Sequence, residues 1–196
     1  NSYFQNQTTN SGLPAQWPGT GQVAMDDWND EDVAGAFVTR AGQPPLFFSK
    51  QRAGHFVQTN LTASWPAGSV MALGDLNNDL RDDMALADDQ ELHIVFGGMK
   101  ERQKLSLNGL QVKGIQFLDY DNDGWLDVIA FGNGVRVWRN TGKLGFQDVT
   151  SAAGLDKPGA VESLVVADFD QDGDSDLIAS GPGGLQFWRN DGGNAN

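Results

Sequence analysis

Apolar and polar residues alternate in short runs along most of the chain. One set of runs is Val112-Lys-Gly-Ile-Gln-Phe117-Leu118 and Val161-Glu-Ser-Leu-Val-Val-Ala167, each followed by a second, Leu126-Asp-Val-Ile-Ala130 and Leu177-Ile-Ala-Ser180. A third run follows in Val135-Arg-Val-Trp138-Arg-Asn140 and Leu185-Gln-Phe-Trp188-Arg-Asn190, with looser counterparts at Leu46-Phe-Phe-Ser49 and Leu92-His-Ile-Val95. Period-two alternation punctuated by Gly and Asn predicts strands joined by hairpins. No segment sustains a capped apolar stripe of helical period, so the chain is expected to be all-β.

The runs recur in phase. A fourth strand is predicted at Phe146-Gln-Asp-Val-Thr150, followed by Ser-Ala-Ala-Gly154-Leu155, and its twin stands at the N-terminus as Phe4-Gln-Asn-Gln-Thr8-Thr-Asn-Ser-Gly12-Leu13. Phe56 opens the same strand in the first repeat, and Lys104-Leu-Ser-Leu-Asn108 supplies it in the second. Four strands in about 45 residues is the size of a propeller blade. The repeats run over approximately 14–60, 61–108, 109–155 and 156–190 plus 1–13, within one domain of 1–196. The last repeat stops after its third strand, while the chain opens on an orphan fourth at 3–9. The expected fold is a β-propeller of four four-stranded antiparallel blades, its N-terminal strand completing the last blade so that no edge is left free. A segment of a longer propeller is the alternative.

Between the first and second strand of each repeat lies an acidic loop. Asp119-Tyr-Asp121-Asn-Asp123-Gly124-Trp125-Leu-Asp127 and Asp168-Phe-Asp170-Gln-Asp172-Gly173-Asp174-Ser-Asp176 both read D-x-D-x-D-G-x-x-D. Asp75-Leu-Asn77-Asn-Asp79-Leu80-Arg81-Asp-Asp83 keeps every ligand position but loses the glycine. In Asp27-Trp-Asn29-Asp-Glu31-Asp32-Val-Ala-Gly35 the third Asp becomes Glu and the last becomes Gly. The first positions, 27, 75, 119 and 168, are 48, 44 and 49 residues apart, the mark of a repeat architecture.

Alternating Asp and Asn at positions one, three and five of a tight loop point oxygens inward. Position six needs a sharp turn, position seven offers a backbone carbonyl (Trp125, Asp174, Arg81), and an Asp at position nine closes the shell. An all-oxygen set of hard carboxylates with flexible geometry suits Ca²⁺ better than Mg²⁺. An EF-hand would place Glu at position twelve, but residues 130 and 179 are both Ala. Two to four calcium ions are expected. Carboxylate count ranks the loops third ≈ fourth > second > first, and the first, with Asp27, Asn29 and Glu31, is a weak site at best.

Composition changes the picture mainly through charge. The 196 residues carry 13 Lys+Arg against 26 Asp+Glu, a formal charge of −13. Five, four, four and five of those acids fall in 26–35, 75–83, 119–127 and 168–176, so the charge belongs mostly to the loops. Such a chain lacks the basic face that nucleic acid or an anionic membrane surface requires. There is no cysteine and there are two histidines, His55 and His93, so thiol chemistry and multi-histidine metal sites are excluded. No apolar run approaches ~18 residues, so membrane insertion is not expected. Asn1 does not begin a signal peptide, and the chain is expected to be a processed or excised piece. Trp28, Trp125, Trp138 and Trp188 sit at repeat-matched positions and are expected to pack between blades; Trp17 and Trp65 lie outside the pattern and are recognition candidates. Neither histidine has an evident partner in sequence.

The loops and their following strands, Leu126-Asp-Val-Ile-Ala and Leu177-Ile-Ala-Ser, resemble the calcium-binding blades of the FG-GAP/VCBS repeat family, the repeats of integrin α-subunit propellers. Phe96-Gly97-Gly98 and Phe131-Gly132-Asn-Gly134 resemble its Phe-Gly element. Trp138-Arg-Asn-Thr-Gly142 through Phe146-Gln-Asp-Val-Thr150, with Arg189-Asn-Asp-Gly-Gly-Asn194, is similar to the subgroup that carries an ASPIC/UnbV segment. The likeness spans nearly the whole chain, strongest at 112–194. It implies a secreted, periplasmic or cell-surface adhesion or interaction module with structural calcium, an unknown protein or glycan ligand, and a monomeric state for the isolated domain. Integrin propellers have seven blades, so a segment of a seven-bladed ring is the family-based alternative. The rival class is a calcium-dependent polysaccharide lyase or hydrolase working in the propeller channel, although no G-x-S-x-G, H-E-x-x-H or phosphate-cradling loop is present.

Overall fold

The computed structural model describes residues 3–17, 19, 21–28, 34–60, 62–97 and 102–192. The chain is all-β, and each sheet is antiparallel with its strands in chain order. The first sheet comprises β1 (Val23–Asp26), β2 (Gly35–Arg40), β3 (Gln43–Lys50) and β4 (Phe56–Thr59). The second comprises β5 (Val70–Gly74), β6 (Asp83–Ala87), β7 (Glu91–Val95) and β8 (Arg102–Ser106). The third comprises β9 (Val112–Leu118), β10 (Asp127–Gly132), β11 (Val135–Asn140) and β12 (Phe146–Asp148). The fourth holds β13 (Ser163–Ala167), β14 (Asp176–Gly181) and β15 (Gly184–Trp188). This is the meander of propeller blades, as the alternation predicts.

The chain divides into two compact units, residues 1–69 and 70–196. In the first, the core is aromatic. Phe37 and Phe47 are buried from neighbouring strands with ring centroids 4.6 Å apart. Trp28 meets Phe37 edge-on at 5.1 Å, and Trp65 lies 5.3 Å from Trp28 and 5.6 Å from Phe37. Trp65, expected as a recognition residue, is therefore part of this cluster; Trp17 is half-buried.

In the second unit β9 packs against both β5 and β13. The second strands are the most buried, β6 and β10 throughout their lengths, and β10 carries a packed core on each of its faces. Strand β10 shows how period two builds the stack. Val128 and Ala130 face a core shared with Leu76, Leu92, Ile94 and Trp138, while Ile129 and Phe131 face another shared with Leu118, Leu164 and Leu177. Each fully buried Val, Leu or Ile stabilises by about 1.5–3 kcal/mol, so one strand welds three sheets. Trp138 is buried and Trp188 borders the second core. Trp125 differs from expectation, lying over the turn at Gly142 of its own sheet, where an added Cβ would sit 3.1 Å from its ring.

The N-terminal segment also differs from expectation. Residues 3–7 form no strand, Thr8–Ser11 make one helical turn (α1), and the fourth sheet has three strands among the described residues. The likeness between 4–13 and 146–155 survives at the turn alone. Asn6 Oδ1 accepts the Thr8 amide (2.9 Å) and hydroxyl (2.8 Å), as Asp148 Oδ1 accepts those of Thr150 (3.0 and 2.7 Å). Gly12 and Gly154 then turn at φ 79° and 72°. What 146–148 has and 3–7 lacks, among the described residues, is a ladder partner: β12 pairs with β11, while Tyr3 and Phe4 stay exposed.

Candidate metal centre

The loops at 75–83, 119–127 and 168–176 share one hydrogen-bond plan. The position-one carboxylate accepts the amides of positions five and six: Asp75 from Asp79 and Leu80 (3.1 and 2.8 Å), Asp119 from Asp123 and Gly124 (3.1 and 3.0 Å), Asp168 from Asp172 and Gly173 (3.2 and 3.1 Å). The position-five carboxylate accepts the amide of position seven at 3.0 Å in all three, tying Arg81, Trp125 and Asp174 into the turn. Side-chain acceptors thus close the backbone without a ladder. Position six is left-handed, at φ 85° in Gly124 and 98° in Gly173, and Leu80 adopts it at 68°.

Position nine opens the second strand. Asp83, Asp127 and Asp176 are all fully buried, and each carboxylate accepts two backbone amides. One comes from loop position two: Leu76 (2.9 Å), Tyr120 (2.8 Å) and Phe169 (3.0 Å). The other comes from the end of the third strand or two residues beyond it: Gly97 (2.7 Å), Asn140 (2.5 Å) and Asn190 (2.8 Å). Burial pushes Asp127 up to about 7 and Asp83 up to about 6, the amide bonds opposing and neighbouring loop carboxylates adding to the rise.

Asparagine side chains carry these staples from sheet to sheet. Asn140 Nδ2 donates to the Leu76 carbonyl of the preceding sheet (2.6 Å), and Asn190 Nδ2 donates to that of Tyr120 (3.0 Å). The result is an unbroken relay: Asp83, Leu76, Asn140, Asp127, Tyr120, Asn190, Asp176. A second tie joins loop to loop through position four, itself left-handed. Asn78 Nδ2 donates to the Gly124 carbonyl (3.1 Å), and Asn122 Nδ2 donates to Asp174. The repeated Trp-Arg-Asn string and the Asn at position four carried this information in the sequence, but their reach into a neighbouring sheet shows only in three dimensions.

The donor geometry fits a hard divalent cation. Asp119, Asp121 and Asp127 each bring an oxygen within 4.8 Å of the others, and so do Asp168, Asp170 and Asp176. These are positions one, three and nine of each loop. Asp121 Oδ1 is buried and, among the described residues, receives no hydrogen bond. Burial and the Asp123 charge hold the Asp121 carboxyl above its ordinary value despite Arg139, whose Nε lies 2.5 Å from Asp121 Oδ2 and whose Nη2 lies 3.1 Å from Asp123. A buried oxygen without a donor is left with its lone pairs unused, within reach of the other carboxylates of the ring. At the second loop Asn77 replaces the position-three acid, and its Oδ1 accepts the Asp79 amide (3.0 Å). At the first loop Asp27 is half-buried, whereas Asn29 and Glu31 lie outside the described residues. Its position nine, Gly35, opens β2 where an added Cβ would fall 2.2 Å from the Phe47 ring, so the aspartate staple is excluded there. A grouping not foreseen from sequence, Asp88, Glu91 and His93, lies on the β6–β7 hairpin.

Residues 119–179 match the family model of the FG-GAP-like repeat. No curated protein matches the chain. Among solved structures, it is similar to an Agrocybe aegerita lectin described for its specific recognition of non-reducing terminal N-acetylglucosamine, at TM-score 0.57 and 17% identity over 90% of this chain and 51% of the lectin. It is also similar to the V. cholerae biofilm matrix protein Bap1, at TM-score 0.54 and 18% identity over 87% of this chain and 29% of that one. The chain therefore spans about half of the lectin's length and under a third of Bap1's. At these identities the likeness is one of fold. No helix among the described residues is long and apolar enough to cross a membrane.

Proposed function

We propose that the chain is a calcium-stiffened extracellular binding module, recognising a glycan or protein partner on a scaffold of FG-GAP-like blades. The observation that carries the calcium reading is the buried, donor-free Oδ1 of Asp121 within the Asp119–Asp121–Asp127 ring. Asp119, Asp121, Asp123 and Asp127 would hold one ion, with the Trp125 carbonyl at position seven. Asp168, Asp170, Asp172 and Asp176 with the Asp174 carbonyl would hold another, and Asp75, Asn77, Asp79 and Asp83 with the Arg81 carbonyl a weaker third. Calcium supplies charge neutralisation and oxygen cross-linking. The chain's own residues do the rest: the position-one and position-five carboxylates fix the turn, the position-nine carboxylates bind loop to strand, and Asn140 and Asn190 carry that tie to the preceding sheet.

For recognition, a cavity of about 200 Å³ between the third and fourth sheets presents Tyr120 and Trp188 beside Arg189, Asn190 and Asp191. Aromatic faces with a few convergent polar groups suit a saccharide or a short peptide. The lectin and matrix-protein likenesses support a binding role over catalysis. Thermal melts with Ca²⁺ and with EGTA test the calcium half; an unchanged midpoint and no calcium heat by calorimetry would sink it. A glycan array read with and without Trp188→Ala tests the other half, where binding unaffected by the substitution would remove this cavity from the account.

A further inference from the structure

The β6–β7 hairpin departs from its two counterparts in the same unit. In the third and fourth sheets the corresponding turns are glycine-rich, with Gly132 and Gly134 in one and Gly181, Gly183 and Gly184 in the other. In the second sheet the turn reads Asp88-Asp89-Gln90-Glu91, closed by the Asp88 amide on the Glu91 carbonyl at 3.1 Å, as Gly132 closes on Gly134 at 2.9 Å. Two residues on stands His93, paired across the sheet with Leu86. Its register equivalents are Arg136, opposite Ala130, and Gln186, opposite Ala179. Both of those grip the linker that enters their sheet: Arg136 Nε donates to the Leu107 carbonyl (2.8 Å), and Gln186 Nε2 to that of Pro158 (2.8 Å). His93 instead turns to its own hairpin.

There the His93 side chain is 6% exposed, with Nε2 3.0 Å from Asp88 Oδ2 and 3.9 Å from Glu91 Oε2. Asp88 is held in place, because its other oxygen accepts the amides of Gln90 and Glu91, both at 2.7 Å. The three ligand atoms lie within 4.8 Å of one another. Ligands of a tetrahedral ion with bonds near 2.0–2.1 Å stand about 3.3 Å apart, so the two separations from His93 Nε2 need changes of only a few tenths of an ångström, and the one between the carboxylates at most about 1.5 Å. A neutral imidazole nitrogen with two carboxylates is a donor set for zinc and its neighbours; calcium takes oxygen. We propose that Asp88, Glu91 and His93 form a site for a borderline divalent ion of the Zn²⁺ class, separate in place and chemistry from the acidic loops. One group competes: Lys104 Nζ sits 2.8 Å from Glu91 Oε2. That ammonium is 65% exposed, in the class of surface pairs that contribute little and yield readily.

The test is Zn²⁺ titration of the chain held in excess CaCl₂, by calorimetry, with ¹⁵N-imidazole NMR of His93 and His55 in the same samples. The expected result is one Zn²⁺ per chain, with His93 ring resonances shifted and those of His55 unmoved. His93→Gln or Asp88→Asn should weaken binding at least about tenfold, Asp121→Asn should leave it unchanged, and Lys104→Gln should tighten it. No zinc heat in calcium-saturated protein, or an unperturbed His93 ring at saturation, overturns the site and leaves a hairpin closed by a histidine–aspartate pair. The NMR arm uses unaltered protein and decides the matter even if His93→Gln does not fold, and excess calcium separates failure here from failure of the calcium reading.

Discussion

The second and third acidic loops have one backbone and two chemistries. In both, the position-one, position-five and position-nine carboxylates accept the same amides at 2.5–3.1 Å. Yet Leu80 stands where Gly124 does, Asn77 where Asp121 does, Phe96 where Arg139 does, and Gly97 where Asn140 does. The shape of such a loop therefore belongs to its aspartates and survives loss of the glycine. What the substitutions alter is the charge offered to a cation, the presence of an arginine beside it, and the asparagine tie to the preceding sheet.

The largest expected effect breaks the shared part. Asp127→Ala strands two buried amides and should cost about 4 kcal/mol in urea unfolding. Asp83→Ala should cost about 3 kcal/mol, because its strand-end partner is Gly97, which has no side chain to clamp another sheet. Equal losses would mean that the asparagine relay contributes nothing. Next is calcium, worth about 2.7 kcal/mol per site at a hundredfold over Kd. Asp121→Asn and Asn77→Asp should exchange the rank of the two loops in calorimetry, and an unchanged order would show that carboxylate count does not set affinity.

The pH dependence separates the loops further. Asp127 and Asp83 are raised to about 7 and about 6 from 3.8, so the metal-free fold binds protons more tightly than the unfolded chain. The stability this contributes is complete below pH 3.8 and is lost as pH rises through about 6 and then about 7. The EGTA-treated protein should melt lower at pH 8 than at pH 5, Asp127→Asn should flatten the upper step, and saturating calcium should reverse the slope. A smaller effect is expected at position six. Leu80 is 94% exposed and left-handed, so Leu80→Gly should stabilise by about 0.5–1 kcal/mol, whereas Gly124→Ala should cost about 1 kcal/mol. Smallest is Asn122→Ala, which should leave the melt within about 0.5 kcal/mol while making calcium binding to the third and fourth loops more independent.

Much of this was legible because period two and the loop spacing are properties of single segments. The strands of Val112–Leu118 and Val135–Asn140 announce themselves by alternation, and position nine by its place at the head of an apolar run. What escaped depends on partners. The Phe4 segment shares Phe, Gln, Thr, Gly and Leu with the Phe146 segment at the same spacing, but a strand needs a ladder partner, and residues 3–7 have none among the described residues. Trp65 looked free because nothing in the sequence says that Trp28 and Phe37 come to it. Asn140 reads as a strand end until Leu76 of the preceding sheet is beside it. His93 has two apolar neighbours in sequence, and its carboxylates reach it only when the hairpin folds.

The most direct test of the calcium reading is a calorimetric titration of Ca²⁺ into the EGTA-stripped chain, repeated for Asp121→Asn and Asp170→Asn. At least two sites are expected, each substitution weakening chiefly the site of its own loop. Absence of calcium heat in the parent chain, or titrations that both substitutions leave unchanged, would contradict it.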